Sequence, residues 1–154
     1  MPNDEHVAVL RRGAAAWNAW RAENRETPDL SQAGLRGLDL SGCDLSRADL
    51  GGADLRGTNF GGANLSGSHL EGANLFKALL KGADLAGAFL YGAQSLNCAQ
   101  LVVTRNWQSA FRDDVLACGA VIPGPNPRNR PLNNGLPPGR RRDLEDWAGY
   151  SSDR

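Results

Sequence analysis

The chain has 154 residues, 17 of them basic and 17 acidic, so its formal net charge is zero. This length suffices for one domain with a single hydrophobic core. The balanced charge excludes a global electrostatic attraction to nucleic acid or to a membrane surface. No apolar run approaches the ~20 residues that a membrane-spanning helix needs. We therefore expect neither direct nucleic-acid binding nor a membrane partner.

Residues 1–27 are predicted to form an N-terminal capping helix, which ends at Thr27-Pro28. Its apolar side chains follow helical spacing, and Asn3 or Asp4 can cap its first turn. Two tryptophans, Trp17 and Trp20, lie near its end. They could form a surface for a ligand or partner, but we favour a lid over the first turn of the following segment.

The first residues of the chain lack the basic and apolar regions of a signal peptide. The three cysteines are odd in number and widely spaced, at positions 43, 98 and 118. This pattern predicts reduced thiols, which are typical of the cytoplasm. We therefore expect a cytoplasmic protein.

From Pro28 to Gly92 a large apolar residue recurs at every fifth position, which fits neither an α-helix nor a flat strand. A chain that bends once per pentapeptide would turn all of these side chains inward. Gly stands two residues after ten of the thirteen apolar positions, where a type II turn requires positive φ. Gln32, Arg47 and Lys77 replace this Gly, so a different turn is predicted there. The apolar residues are Leu30, Leu35, Leu40, Leu45, Leu50, Leu55, Phe60, Leu65, Leu70, Leu75, Leu80, Leu85 and Leu90.

The repeated motif reads A-(D/N)-L-x-G. Because of this motif, residues 28–95 resemble the repeats of the pentapeptide-repeat protein family. The resemblance implies an all-β solenoid, namely a right-handed quadrilateral β-helix with four pentapeptides per coil. About three coils are expected, with helical caps at both ends because an open solenoid end exposes apolar side chains.

Asp or Asn precedes most of the repeated leucines and could be interpreted as catalytic carboxylates. Because these residues recur at a structural period, we interpret them as turn residues that bond to nearby backbone. His69 occupies the same position and is expected to be exposed. The isolated histidines and cysteines form no metal-binding pattern. We predict no enzyme activity, no catalytic residue, no metal and no cofactor.

Function is therefore expected on the outer faces. When every fourth pentapeptide is assigned to one face, a basic face and two mildly acidic faces result. The last coil also carries apolar residues where polar ones are usual, which indicates covering by the next segment or an interface. The candidate interaction surface comprises Asp29, Asp44, Asp49, Glu71, Asp84, Arg36, Arg56, Lys77, Phe76, Leu79, Phe89 and Tyr91.

Residues 96–122 are predicted to form a C-terminal helical cap. Asn97 and Gln100 resemble a capping box for a short helix that runs to about Arg105. Residues 123–154 contain six of the eight prolines and few apolar residues, which predicts a disordered Pro/Arg-rich tail. Within this tail, residues 140–150 could serve as a linear docking motif, or the whole tail could only aid solubility.

The sequence favours a non-enzymatic, bacterial-type pentapeptide-repeat scaffold for protein–protein interaction. Its protein partner is unidentified, and the chain could be a monomer or a dimer. The alternative implied by the family is a DNA-mimic modulator of a type II topoisomerase that protects or inhibits gyrase. The two acidic faces favour this alternative, whereas the zero net charge and short repeat argue against it.

Overall fold

A computed structural model describes residues 1–122, so the predicted tail at 123–154, with its docking motif, lies outside the described residues. Helices α1 (Asp4–Arg11) and α2 (Ala14–Glu23) precede the repeat, and α3 (Cys98–Leu101) follows it. Two 3₁₀ turns, Trp107–Ser109 and Asp114–Leu116, complete the C-terminal part. Within residues 1–122, no helix has the length and apolar character needed to cross a membrane.

The repeat segment winds into coils of twenty residues, joined by isolated parallel β-bridges. Asp29 pairs with Asp49, Asp49 with His69, and His69 with Phe89. The same offset of twenty recurs along the other three sides, from Gly34, Asp39 and Asp44. Four pentapeptides therefore form one coil, as predicted, and residues twenty apart lie on the same face.

The repeated leucines and Phe60 fill the interior of the coils, where each is at most 4% exposed. Full burial of such a side chain stabilises the fold by ~1.5–3 kcal/mol. Two buried hydroxyls interrupt the apolar core, and both are satisfied. Thr58 donates to the Leu35 carbonyl at 2.8 Å, and Ser68 donates to the Leu65 carbonyl at 2.7 Å. Neither of these two hydroxyl groups is therefore left unpaired in the core.

The corners of the coil adopt the left-handed backbone region that favours glycine. Gly37 and Gly42, for example, both have φ of 72°. Gln32, Arg47 and Lys77, for which a different turn was predicted, nevertheless have φ of 59°, 60° and 59°. The prediction of a distinct conformation at these corners is wrong, because coil stacking imposes the same bend on every pentapeptide.

The N-terminal cap consists of two helices, whereas the sequence predicted one. Gly13, with φ of 103°, separates α1 from α2. Trp17 is fully buried in the core cluster, and its indole Nε1 donates to the Asp44 carbonyl at 2.7 Å. Trp20 stacks on Trp17 with ring centroids 5.0 Å apart. The helices thus cover the first coil, and the predicted lid role of Trp17 is confirmed.

The C-terminal cap continues the coil beyond residue 95, where the sequence placed its end. Asp84 bridges to Arg105 and Phe89 to Phe111, so the offset lengthens from twenty residues to 21 and 22. The capping box of Asn97 and Gln100 is confirmed, but α3 ends at Leu101 and not near Arg105. Extra residues in this last turn are accommodated as α3 and the 3₁₀ turns, so the cap is largely irregular.

Cys98 and Cys118 form a disulfide, with Cα atoms 5.6 Å apart. The prediction of three reduced thiols is therefore wrong for this pair, because the cap folds back and brings two distant cysteines together. Cys43 is a free, buried cysteine in the core. Burial, assisted by the charge of Asp39, raises the pKa of its thiol to about 11. The cytoplasmic location remains a prediction.

Candidate functional site

The aspartates of the candidate surface serve as caps for their own turns. The Oδ1 atom of Asp29 accepts from the Ser31 N–H, that of Asp44 from the Ser46 N–H, and that of Asp49 from the Gly51 N–H. Asp84 accepts from the Ala86 N–H and from the Asn106 side chain. These partly exposed carboxylates therefore have a structural role, as interpreted from the repeat.

The predicted basic face contains fewer free cations than its sequence indicates. Arg56 binds Asp54 through two parallel contacts, Nε–Oδ1 at 2.8 Å and Nη2–Oδ2 at 2.7 Å. This hydrogen bonding lowers the pKa of the Asp54 carboxyl to about 2. Arg36 and Lys77 are exposed. Of the three predicted basic residues, only Arg36 and Lys77 thus remain as unneutralised charges on this face.

Phe89 and Tyr91, placed on the candidate surface, are buried at 6% and 3% exposure. Phe111 of the cap stacks on Phe89 at a centroid distance of 5.0 Å, and His69 stacks on the other side of Phe89 at 4.6 Å. The expected covering by the following segment is therefore confirmed for these two residues. Their placement on a free surface is wrong, because Phe111 extends the same column of aromatic rings and helps to bury them.

Glu71 is also buried, which contradicts its placement on an acidic outer face. Its Oε1 lies 3.1 Å from Nδ1 of His69, and its Oε2 has no hydrogen-bond partner among the described residues. Burial raises the pKa of this carboxyl, and the nearby charge of Asp49 adds to the effect, whereas His69 opposes it. The His69 side chain itself is only 16% exposed, so its predicted exposure is wrong. His69 is thus part of the aromatic column, and the fully buried Glu71 beside it is closed to a macromolecular partner.

An apolar groove remains open between residues 76–81 of the last coil and residues 95–103 of the cap. Phe76 is 50% exposed, Leu79 is 58% exposed, and Val103 on the facing wall is 47% exposed. The groove comprises two adjoining depressions of about 300 and 570 Å³, both lined by Leu79. Lys77 lines one depression and Lys81 the other, and the lining of neither includes a carboxylate.

The groove is held open by the cap. Gln100 lies between its walls, and its Nε2 donates to the carbonyls of Leu75 and Ala78 at 2.9 and 3.2 Å. Asn97 fixes the start of α3 through the capping box, and the neighbouring Cys98 is linked to Cys118. The exposed apolar residues thus lie on a supported surface, where a partner could bind without ordering the backbone first.

The sequence analysis identified Phe76, Leu79 and Lys77 but missed the opposite wall. Val103 and Gln100 belong to that wall, and only the second had been singled out, as a capping residue. The apolar pair Val102-Val103 directly after a capped helix was the available signal. Arg112 was not predicted from the sequence; it is 1% exposed and donates to the carbonyls of Leu116 and Ala110 at 2.7 and 2.8 Å. Arg112 thereby organises the turns of the cap.

The family model for pentapeptide repeats matches the chain over residues 29–62 and 58–94. No curated protein gives a significant match. Among solved structures, the pentapeptide repeat protein alr5209 from Nostoc Pcc 7120 is 34% identical. That match covers 68% of this chain and 90% of alr5209, with a TM-score of 0.30.

Two further solved structures carry the same repeat. The pentapeptide repeat protein Rfr23 from the cyanobacterium Cyanothece 51142 is 35% identical over 49% of this chain and 54% of its own, with a TM-score of 0.22. The pentapeptide repeat protein AT2G44920 from the Arabidopsis thaliana thylakoid lumen is 28% identical over 72% and 73%, with a TM-score of 0.24. The superpositions are loose, so kinship rests on the repeated sequence.

Proposed function

Because the chain belongs to the pentapeptide-repeat family, whose fold is a right-handed quadrilateral β-helix, we propose that it is a non-enzymatic scaffold that binds a protein partner in the groove beside its last coil. Members of this family are generally structural or interaction proteins. The observation that carries the proposal is the exposure of Phe76 and Leu79 at 50% and 58%. At the equivalent positions of most other pentapeptides the residue is polar or Gly.

The chemistry of the groove favours a protein ligand over a small molecule. Its floor is apolar and its rim carries Lys77 and Lys81, whereas Oδ1 of Asn97 and the side-chain amide of Gln100 are already hydrogen-bonded within the protein. Partly exposed apolar residues with a polar rim are typical of protein interfaces. A short apolar segment with acidic residues would match both the floor and the rim.

The carboxylates do not favour the topoisomerase alternative. Glu71 is buried, and Asp29, Asp44 and Asp49 accept hydrogen bonds from their own turns. The burial of Glu71 leaves one acidic face with one carboxylate fewer than the sequence suggested, whereas the three aspartates stay partly exposed.

The test is co-purification from the native host with Leu79→Asp as the disrupting variant. A charge in the groove floor should remove the specific partner, because binding would place that carboxylate in an apolar contact and against the acidic residues expected in the ligand. Val115→Asp is the matched control, since Val115 is 86% exposed in the cap but does not line the groove. Circular dichroism should show that both variants are folded. Equal partner recovery with Leu79→Asp and with the unmodified chain would overturn the proposal.

A further inference from the structure

We propose that residues 143–150 of the same chain occupy this groove and compete with the protein partner for it. The inference names a regulator of the groove, and it rests on the proposed function only in taking the groove as a binding site. It is carried by three observations, namely the place where the described chain ends, the composition of the segment and the charge of the groove rim.

The disulfide brings Cys118, four residues before the end of the described chain, next to one wall of the groove. Cys118 is joined to Cys98, and Asn97, Ala99 and Gln100 on either side of Cys98 line the groove. Residue 122 follows only four positions after Cys118. Cys118 is thus held at one wall of the groove by a covalent bond.

The length of chain beyond this tether is sufficient. Twenty residues, 123–142, separate the described end from the segment. A chain of that length can span up to about 70 Å when extended, so it can return to a groove beside its own origin. Such a connection gives an effective concentration that can reach the millimolar range, so weak contacts suffice for occupancy.

The composition of the segment matches the groove. Residues 143–150 read D-L-E-D-W-A-G-Y, with three acidic residues, no basic residue, and Leu144, Trp147 and Tyr150 at intervals of three. The groove presents an apolar floor and the ammonium groups of Lys77 and Lys81. Burial of Leu79 and Phe76 under an aromatic side chain would remove the largest apolar exposure of the last coil from water. The three arginines at 140–142 precede the segment, so the complementarity is local to these eight residues.

The full chain with Ser151→Cys, labelled there with a nitroxide, tests the proposal by nuclear magnetic resonance. Cys43 is buried and the other two cysteines are paired, so the label should attach at one site. We expect loss of the amide signals of Leu79, Gln100 and Val103, relative to a reduced-label reference. Signals of α1 beyond the first coil, such as that of Glu5, should be broadened least. Retention of all groove signals would overturn the proposal.

Four variants of the labelled chain test whether the signal loss arises from binding in the groove. Leu79→Asp should restore the groove signals, whereas the exposed control Val115→Asp should leave them broadened. Lys81→Glu should also restore them in part, and adding Glu145→Lys should broaden them again if the charges pair. Broadening that persists with Leu79→Asp would place the segment elsewhere and overturn the proposal.

A mixed sample distinguishes the chain's own segment from that of a second copy. Isotope-labelled chain without nitroxide is combined with nitroxide-labelled chain without isotope, and no groove signal should be lost. Loss in this sample would identify a second copy as the occupant and overturn the proposal. If Leu79→Asp removes the partner but no broadening occurs, the proposed function stands and this inference fails. If broadening occurs and partner recovery is unchanged by Leu79→Asp, this inference stands and the proposed function fails.

Discussion

The two ends of the solenoid are closed in different ways. At the N-terminal end, two helices place Trp17 in the core and bond to the first coil through side chains such as Asn18, which donates to the Gly42 carbonyl at 3.0 Å. At the C-terminal end, the chain continues the coil with extra residues and is stabilised by Arg112 and the disulfide. One end is a packed lid, and the other is a cross-linked, irregular last turn.

This difference determines where apolar surface remains. Apart from Met1, the exposed large apolar residues of the described chain all lie in the last coil or the C-terminal cap. They are Phe76, Leu79, Val102, Val103, Val115 and Val121. A continuous helix can turn one apolar stripe toward the core, whereas short turns cannot orient every side chain inward. The groove is therefore left open at the irregular end.

The largest expected effect concerns the packed end. Trp17→Ala should lower the free energy of unfolding by about 3–5 kcal/mol, because it leaves a cavity beneath the lid and an unpaired Asp44 carbonyl. Urea denaturation followed by circular dichroism measures this loss. Trp20→Ala is the control. Because Trp20 is only half-buried, its replacement should lower the free energy of unfolding much less. Equal losses for the two variants would show that the lid does not depend on Trp17.

The next effect concerns the cross-linked end. Replacing both Cys98 and Cys118 by Ser should lower the free energy of unfolding by about 3 kcal/mol, as expected for a closed loop of this length. Hydrogen exchange should show faster opening in residues 96–122, with the amides around Trp17 unchanged, because coils contact only their neighbours. Reductant should act in the same way on the unmodified chain and have no effect on the double variant. Faster exchange at both ends would contradict the separation of the two caps.

The smallest effect lies beneath the C-terminal cap, at Glu71. Because burial raises the folded-state pKa of this carboxyl, its contribution to stability is present below about pH 4.5 and is lost as the pH rises through the folded-state pKa. Glu71→Gln should therefore unfold at higher urea than the unmodified chain at pH 7, and the two should be similar at pH 4. A pH series of urea denaturations measures this difference.

Asp84→Asn provides a control of opposite sign. Burial alone would raise the pKa of the Asp84 carboxyl, but hydrogen bonds from Asn106 and Ala86 and the charge of Arg105 lower it overall. Its contribution is thus present at neutral pH and lost as the pH falls through the folded-state pKa, so Asp84→Asn should reduce stability at pH 7. Asn already occupies the same repeat position at 59, 64 and 74, so the fold should tolerate it. Equal pH profiles for both variants would contradict the burial of Glu71.

The repeat could be predicted because each of its contacts has a local cause. A bend at every fifth residue determines which side chains point inward, and the offset of twenty then places Asp29 above Asp49 without further information. The candidate site was predicted only where it follows this register, as for Phe76, Lys77 and Leu79. The burial of Glu71 could not be predicted, and the covering expected for Phe89 and Tyr91 could not be assigned to Phe111, which reaches Phe89 only after an irregular insertion.

The sequence by itself determined the solenoid, its coil of four pentapeptides, the inward leucines and the turn-capping role of the aspartates. These features follow from a short period, in which steric and hydrogen-bonding preferences repeat at every step. Only the tertiary structure decided the Cys98–Cys118 pairing, the covered aromatic column and the open groove. Each of these depends on how the non-repeating cap folds back against the last coil, and such contacts between distant residues have no periodic signature in the chain.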